Sequence, residues 1–322
     1  MLITFNFSGN RAQSNCPSCN ATPTLMSKPD SCFHLKPETL PFGFSPCHFG
    51  MRSMELCLHI GYHMGFKKPS CTQDWMKKLK AKAKKDIHDK ILEDIPGLRV
   101  DEVRKDGGTS NDGNTARRCF ENAAIFANAC GIPVEMVCLL RTLWLAMKSK
   151  LPIDADKFQE VGDRFMELYF NEFYTDDLRK TWYHMCPTVH RPAVHGKQMI
   201  EFFNIPPGFL SEEGAESNNK EFRFIRRSLT RKCNRTATME DLVARLLCKS
   251  DPVVLSFSTQ SRKKMPIPDD LRKLLKNPVE SLEIDLFEED VEAVDIEYLH
   301  DLEDEFATSD QENDTEEPMD VD

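Results

Sequence analysis

The stretch DKFQEVGDRFMELYFNEF, residues 156–173, decides the fold class of this chain. Its apolar residues recur at intervals of three and four: Phe158, Val161, Phe165, Leu168 and Tyr169. That spacing places them on one face of an amphipathic helix. Asp154 or Asp156, near the start, suits the positive end of the helix dipole. The pattern predicts a helix that buries one face in a core.

The helical pattern continues on both sides of this stretch. Apolar residues at helical spacing predict further helices at residues 51–62, 75–91, 115–130, 133–148, 189–203 and 211–227. A short β-prone run, LITFNF at residues 2–7, precedes a loop rich in Ser, Pro, Asn and Cys. We therefore expect a mainly α fold.

The charged residues divide the chain into a basic body and an acidic extension. Residues 277–322 contain 20 of the 52 acidic residues and no Lys or Arg, so the rest of the chain has 42 basic and 32 acidic residues. A basic body favours a polyanionic partner such as nucleic acid, and an ordinary solvated face is the alternative. The composition of the extension predicts disorder.

The cysteines and the apolar residues indicate the cellular compartment of the protein. The chain has 12 cysteines and no signal-peptide pattern, which favours a reducing compartment in which thiols bind metal or pack. No apolar run approaches the roughly 20 residues of a membrane-spanning helix. We expect a protein that is neither secreted nor inserted in a membrane.

Cys16 and Cys19 form a CPSC motif, a spacing at which two thiolates of one tight turn converge on a zinc ion. A redox pair would need a thioredoxin-like helix after the motif, and the Asn- and Pro-rich sequence there does not predict one. His190 and His195, five residues apart at a helix start, are candidate partners, and buried, hydrogen-bonded histidines are the alternative. Other donors could complete the same site: His184, Cys186, Cys32 with His34, or Cys47 with His48.

The stretch LSEEGAESNNKEFRFIRR, residues 210–227, contains a carboxylate beside a row of cations, with Ser211 as the expected helix N-cap. Four residues fall on one face, at i, i+4, i+7 and i+11: Glu216, Lys220, Arg223 and Arg227. Such a face suits metal and phosphate together, because the acid ligates Mg²⁺ while the cations hold a nucleic-acid backbone. A surface ion pair between Glu216 and Lys220 is the alternative. The basic run continues at Arg231, Lys232 and Arg235.

In this order, these segments resemble the C-terminal, zinc-bearing part of Transib transposases and of the V(D)J recombinase catalytic subunit, which performs DNA recombination. Residues 211–227, with Glu-Ser-Asn-Asn-Lys at 216–220, are similar to the last catalytic segment of that family. A His-x4-His pair precedes the catalytic Glu in the family, and here His195 precedes Glu216 by 21 residues. The loop NDGNTARR at 111–118 is similar to a DNA-contacting loop. The resemblance spans roughly residues 16–254.

The resemblance implies a fold and a set of roles. The fold is a zinc-bound helical insertion joined to the C-terminal catalytic helix of a ribonuclease-H-like core, most of whose N-terminal strands are missing. The implied zinc ligands are Cys16, Cys19, His190 and His195; the third catalytic acid is Glu216; and the residues facing DNA are Arg117, Arg118, Lys220, Arg223 and Arg227. Family members dimerise, so a homodimer is a further expectation.

The sequence departs from the family where the first two catalytic acids would lie. Residues 2–7 resemble the strand that leads to the second Asp, but the first acid of the chain is Asp30, beyond the CPSC motif. The first Asp would lie upstream of Met1. Two-metal cleavage needs carboxylates from two strands besides the Glu. We therefore expect a transposase-derived protein that binds zinc and DNA and is catalytically inactive.

Two alternatives remain. The chain could be a fragment, or an incomplete gene product, of an active transposase that cleaves DNA with two Mg²⁺ or Mn²⁺ ions. It could also be a protein-interaction module whose acidic extension masks its own basic face. No small-molecule substrate is expected in any of these cases. The basic clusters at 77–85 and 262–264, together with the family, favour the nucleus over the cytoplasm.

The predicted organisation has four regions. They are a strand and CPSC loop region at 1–50, a helical zinc-binding insertion at 51–205, the Glu-bearing helix with C-terminal helices at 206–277, and the acidic extension at 278–322.

Overall fold

The computed structural model of the chain is mainly α-helical, as the sequence predicts. It describes residues 15–28, 33–43, 45–64, 74–103, 109–173, 185–254, 265–277 and 283–284. Among these residues, the only paired strands are β1 (Met265–Pro266) and β2 (Glu283–Ile284), which are antiparallel. The β-prone run at 2–7, the basic cluster at 262–264 and residues 285–322 lie outside the described residues.

Helices account for most of the described residues. In chain order they are α1 (Pro23–Met26), α2 (Pro46–His63), α3 (Asp74–Asp94), α4 (Gly113–Glu121), α5 (Ala123–Cys130), α6 (Val134–Lys148), α7 (Ala155–Phe173), α8 (Pro187–Phe203), α9 (Glu213–Ser228), α10 (Arg235–Ser250) and α11 (Asp269–Arg272). Two 3-10 turns accompany them, Pro37–Phe42 before α2 and Pro207–Leu210 before α9.

The local chemistry explains where two of these helices begin or end. At the start of α7, the Asp154 carboxylate accepts hydrogen bonds from the backbone N–H groups of Asp156 and Lys157, at 3.0 and 3.2 Å, which satisfies donors at the helix start. The single helix expected at 115–130 is interrupted at Asn122. The Asn122 side chain donates to the Arg118 carbonyl at 2.9 Å, a local bond that competes with the helical ladder.

Helices α2 and α6 meet in the centre of the core. Trp144 on α6 donates from its indole N–H to the carbonyl of Pro46, at the start of α2, over 2.8 Å. Its ring also packs against Phe120 of α4, with 5.4 Å between the ring centroids. Burying each such large apolar side chain stabilises the fold by roughly 1.5–3 kcal/mol.

Among the described elements, helices α7 and α8 share the most extensive interface, and glycines on both helices lie in it. A β-carbon at Gly162 of α7 would overlap the carbonyl of Ala193 on α8, and one at Gly196 of α8 would overlap the ring of Phe158 on α7. Helix α8 carries both candidate zinc-binding histidines. Its packing on α7 therefore fixes the positions of these two histidines.

Helices α9 and α10 pack mainly on each other. Ile225 of α9 and Leu242 of α10 are buried, and Arg231 between them forms two-pronged hydrogen bonds to the Asp241 carboxylate at 2.9–3.2 Å. The N-cap expected at Ser211 is wrong, because α9 begins one residue later, with Glu212 in that position.

In the part of the chain that the structure describes, no helix combines the length and the apolar character needed to cross a bilayer. The four-region division stays a prediction.

Candidate metal centre

Two cysteines near the start of the described chain and two histidines about 170 residues later lie close together in the structure. The Sγ atoms of Cys16 and Cys19 and one ring nitrogen each of His190 and His195 all lie within 4.8 Å of one another. Cys16 and both histidines are buried, and Cys19 is partly buried. These are the four residues named by the resemblance. Together they could hold a metal ion.

The two cysteines come from a closed turn. The Cys16 N–H donates to the Ala21 carbonyl and the Asn20 N–H donates to the Cys16 carbonyl, both at 2.8 Å. Asn20 has a φ of 61°, a left-handed conformation that Asn adopts more readily than most residues. The turn brings both sulfur atoms to one side of the chain.

Helix α8 supplies the two histidines. It begins with Pro187 at its first position, where a proline costs no hydrogen bond. The Nε2 atom of His190 lies 3.6 Å from the Cys19 sulfur, and the imidazole centroids of His190 and His195 are 5.5 Å apart. The ring of Phe33 packs edge-on against His190 at 4.6 Å, which limits the rotation of that imidazole.

The electrostatics of the cluster suit a cation. A hydrogen bond between the two sulfur groups, together with burial, raises the pKa of Cys16. The same hydrogen bond lowers the pKa of Cys19 to about 2, with smaller contributions from both histidines. Burial lowers the pKa of His190. Both lowered pKa values, that of Cys19 and that of His190, favour the thiolate and the neutral imidazole, which are the ionisation states in which Cys and His ligate metals.

Several buried polar atoms around the cluster have no hydrogen-bond partner within the described part of the chain. They are the hydroxyl of Ser18, Nδ1 of His190 and Nε2 of His195. Leaving such an atom buried and unpaired costs about 1–3 kcal/mol. A cation bound by Nε2 of His195 would offset the cost at that atom.

Other contacts fasten the N-terminal segment to the same region. The Ser27 hydroxyl accepts from the N–H of Met185, just before α8, at 3.0 Å and donates to the Pro23 carbonyl at 3.0 Å. Arg191 of α8 donates to the carbonyl of Thr39 at 3.0 Å. The turn that carries the two cysteines is therefore held against α8 by the protein itself, and the four donors are pre-arranged.

The rival donors do not join this cluster where the structure describes them. Cys186 is buried at the N-cap of α8, and Cys47 and His48 lie in the first turn of α2. His34 is exposed. Cys32 and His184 lie outside the described residues.

Sequence reasoning missed a buried carboxylate, Glu212, which joins α9 to α2. Glu212 accepts a hydrogen bond from the Ser45 hydroxyl and lies 3.4 Å from Nδ1 of His48. Burial raises the pKa of Glu212, but the hydrogen bonds with His48 and Ser45 outweigh burial and lower it overall. Because Glu212 makes these tertiary contacts, its side chain does not cap α9. No pattern in the sequence pairs positions 45 and 212.

The residues expected to face DNA lie in two places. On α4, Arg117 forms an ion pair with Glu121 at 3.0 Å, and Arg118 donates to the carbonyls of Pro96 and Gly97 at 2.6 and 3.1 Å. Arg118 thus stabilises the turn after α3. The other expected contacts lie on α9, where the backbone is described but the side chains of Glu216 and Lys220 lie outside the description.

A cavity of about 620 Å³ opens between the C-terminal end of α9 and the N-terminal end of α10. Its lining consists of Arg223, Arg226, Arg227, Lys232, Asn234, Arg235 and Thr238. Five of these residues are cations and none is an acid. We call this space the basic cavity. The sequence indicated a basic run here, but only the pairing of α9 with α10 collects the run around one space.

No protein-family model matches this chain, and no curated protein matches its sequence. The resemblance to Transib transposases and the V(D)J recombinase thus rests on the motifs of the sequence, and it stays a proposal.

Proposed function

We propose that this protein is a zinc-stabilised DNA-binding protein derived from a Transib or V(D)J-recombinase type transposase, and that this chain alone does not cut DNA. The observation that carries the proposal is the four-donor cluster. The resemblance names four ligands among 12 cysteines and 9 histidines, and those four lie together. Other residues that could ligate a metal, such as Cys186 and His48, do not belong to the cluster.

The donor set favours zinc over other metals. Two sulfur and two nitrogen ligands in a buried site suit tetrahedral Zn²⁺. With Zn–S near 2.3 Å and Zn–N near 2.0 Å, a tetrahedral site separates sulfur and nitrogen by roughly 3.5 Å. The Cys19 sulfur and His190 Nε2 are 3.6 Å apart. Because all four ligands come from the protein, the ion would be structural, with no open position for a substrate.

Elemental analysis of the purified protein is expected to find one zinc ion per chain, and none in Cys16→Ser or His195→Ala. Each substitution removes one of the four protein ligands, which weakens zinc binding enough for the ion to be lost during purification. The matched control is Cys233→Ser, which changes an exposed cysteine and should retain the zinc. Zinc retained by His195→Ala would overturn the long-range site.

The basic cavity supports DNA as the partner. Five cations around one opening, with no carboxylate among the described lining residues, would bind phosphate groups and release their counterions. The Asn234 side chain caps α10 by accepting from the Ala237 N–H at 2.8 Å. The N-terminal end of α10, where the helix dipole favours an anion, contributes Asn234, Arg235 and Thr238 to the lining.

Arg226→Ala combined with Arg235→Ala is expected to weaken binding of duplex DNA on the order of tenfold at low salt. The slope of log affinity against log salt concentration should become shallower by about 2, since two phosphate contacts are lost. Fluorescence anisotropy across a salt series measures both quantities. The control is Lys157→Ala with Lys197→Ala. It removes one lysine from α7 and one from α8, which pair with Asp154 and Asp156. If both double variants weaken DNA binding equally, DNA affinity depends on the net charge of the protein and not on the basic cavity.

The same DNA, incubated with Mg²⁺ or Mn²⁺, is expected to stay intact. No acid occurs in residues 1–29, so the carboxylates that would position two ions beside Glu216 have no counterpart there. Nicking that is lost in Glu216→Gln would contradict this part of the proposal and favour the active-transposase alternative.

A further inference from the structure

The surface around the basic cavity is both cationic and apolar. On α10, Met239, Val243 and Leu247 are 42%, 47% and 66% exposed. They follow Arg235 at intervals of four, so a cavity cation and three apolar side chains form one stripe along the helix. We call the three the apolar row. DNA phosphates would match the cavity but not the apolar row, which would remain in water.

A segment of the same chain has the complementary composition. Residues 285–322 contain 18 Asp and Glu residues and no Lys or Arg. Apolar residues are interspersed among the acids, and six of them stand at intervals of three or four: Phe287, Val291, Val294, Tyr298, Leu302 and Phe306. Spacing of this kind lets one side of a segment present apolar groups while carboxylates project beside them. Most of these intervals are four residues, as in the apolar row on α10.

We propose that residues 285–322 are the ligand of the basic cavity and the apolar row, with carboxylates at the five cations and apolar side chains on Met239, Val243 and Leu247. The proposal rests on the proposed function, because it makes this segment a competitor of DNA for the same cations. Attachment to the same chain raises the effective concentration of the segment to roughly millimolar. Weak individual contacts then suffice to hold it, and DNA must displace it.

The direct test uses the full chain and a zero-length carbodiimide cross-linker, which joins a carboxylate to an amine that it touches. Lys232 is the amine of the cavity lining. At low protein concentration, mass spectrometry is expected to find acids of 285–322 joined to Lys232 at least fivefold more often than to the exposed Lys28. Equal cross-linking to both lysines would overturn the proposal.

Charge reversal tests the cavity itself. Arg226→Glu with Arg235→Glu is expected to reduce the Lys232 cross-links at least fivefold, because two cations next to Lys232 become acids. The matched control, Lys157→Glu with Lys197→Glu, makes the same charge change on α7 and α8 and should leave them unaltered. Circular dichroism of each variant checks that it is folded. Cross-links that persist in the folded cavity variant would overturn the proposal.

The competition with DNA has a separate readout. Neutralising the segment in the full chain, by Glu288→Gln, Glu289→Gln, Asp290→Asn and Glu292→Gln, is expected to raise DNA affinity at least threefold at moderate salt. If DNA affinity is unchanged while the Lys232 cross-links are specific, the segment docks on the cavity but does not compete with DNA. If no variant binds DNA, the DNA-binding part of the proposed function fails, and the cross-links still decide whether the segment docks.

Discussion

Removal of the metal is expected to lower the free energy of unfolding by at least about 3 kcal/mol, because a structural zinc ion contributes its binding energy to folding. In a folded region of this size, that loss lowers the thermal midpoint by roughly 10 °C. The four candidate ligands lie in a turn at residues 16–19 and on α8, at positions 190 and 195, so a bound ion would join these two segments. Without the ion, the N-terminal segment keeps its hydrogen bonds to α8 but loses its strongest link.

The measurement is thermal unfolding, followed by circular dichroism, of the wild type and of His195→Ala, each with and without a strong zinc chelator. The chelator should lower the midpoint of the wild type to that of the variant and leave the variant unchanged. This non-additivity separates loss of metal from loss of imidazole packing. Cys248→Ser, an exposed cysteine, should respond as the wild type does. A chelator that has no effect on the wild type would exclude a stabilising metal.

Gly162→Ala is expected to destabilise the protein by about 3 kcal/mol, at the upper end of what overpacking costs. The new β-carbon would overlap the carbonyl oxygen of Ala193. Because the obstacle is backbone, no side-chain rotation relieves it, and α7 and α8 must separate. His190 and His195 would move with α8. We therefore also expect weaker retention of zinc during dialysis against a chelator.

Gly113→Ala provides the control for this substitution. A β-carbon at Gly113 would meet only the Cys47 sulfur, at 3.9 Å, an ordinary van der Waals distance. Unfolding in guanidinium chloride should show Gly113→Ala near the wild type and Gly162→Ala with a lower midpoint. Equal midpoints for the two variants would mean that the α7–α8 interface is looser than its glycines indicate.

Helical periodicity was sufficient to predict the fold class. The apolar residues of 156–173 predict the helix observed as Ala155–Phe173 because burial of one face is a local pattern with a period of 3.6 residues. Periodicity did not predict the break at Asn122, since a single side-chain hydrogen bond to the Arg118 carbonyl has no signature in an apolar pattern. Similarly, Ser211 satisfied the local rule for an N-cap, but the contacts of Glu212 with α2 shifted the start of α9.

For the candidate metal site, too, the sequence determined one part and the tertiary structure the other. The sequence by itself determined that Cys16 and Cys19 could share one ion, because two donors three residues apart in a turn converge wherever that turn lies. Spacing alone did not determine their partners, since several His and Cys residues had suitable chemistry. The resemblance named His190 and His195, and the packing of the N-terminal segment against α8 brings those two to the cysteines.

The basic cavity likewise depends on tertiary structure. The sequence determined how many cations follow Glu216, and that the chain carries an acidic segment. The pairing of α9 with α10, fixed by Ile225, Leu242 and the Arg231–Asp241 contact, decided that five of those cations surround one space. The physical reason is range: periodicity and short motifs report contacts within a few residues, whereas a site built from distant segments exists only once the core has positioned them.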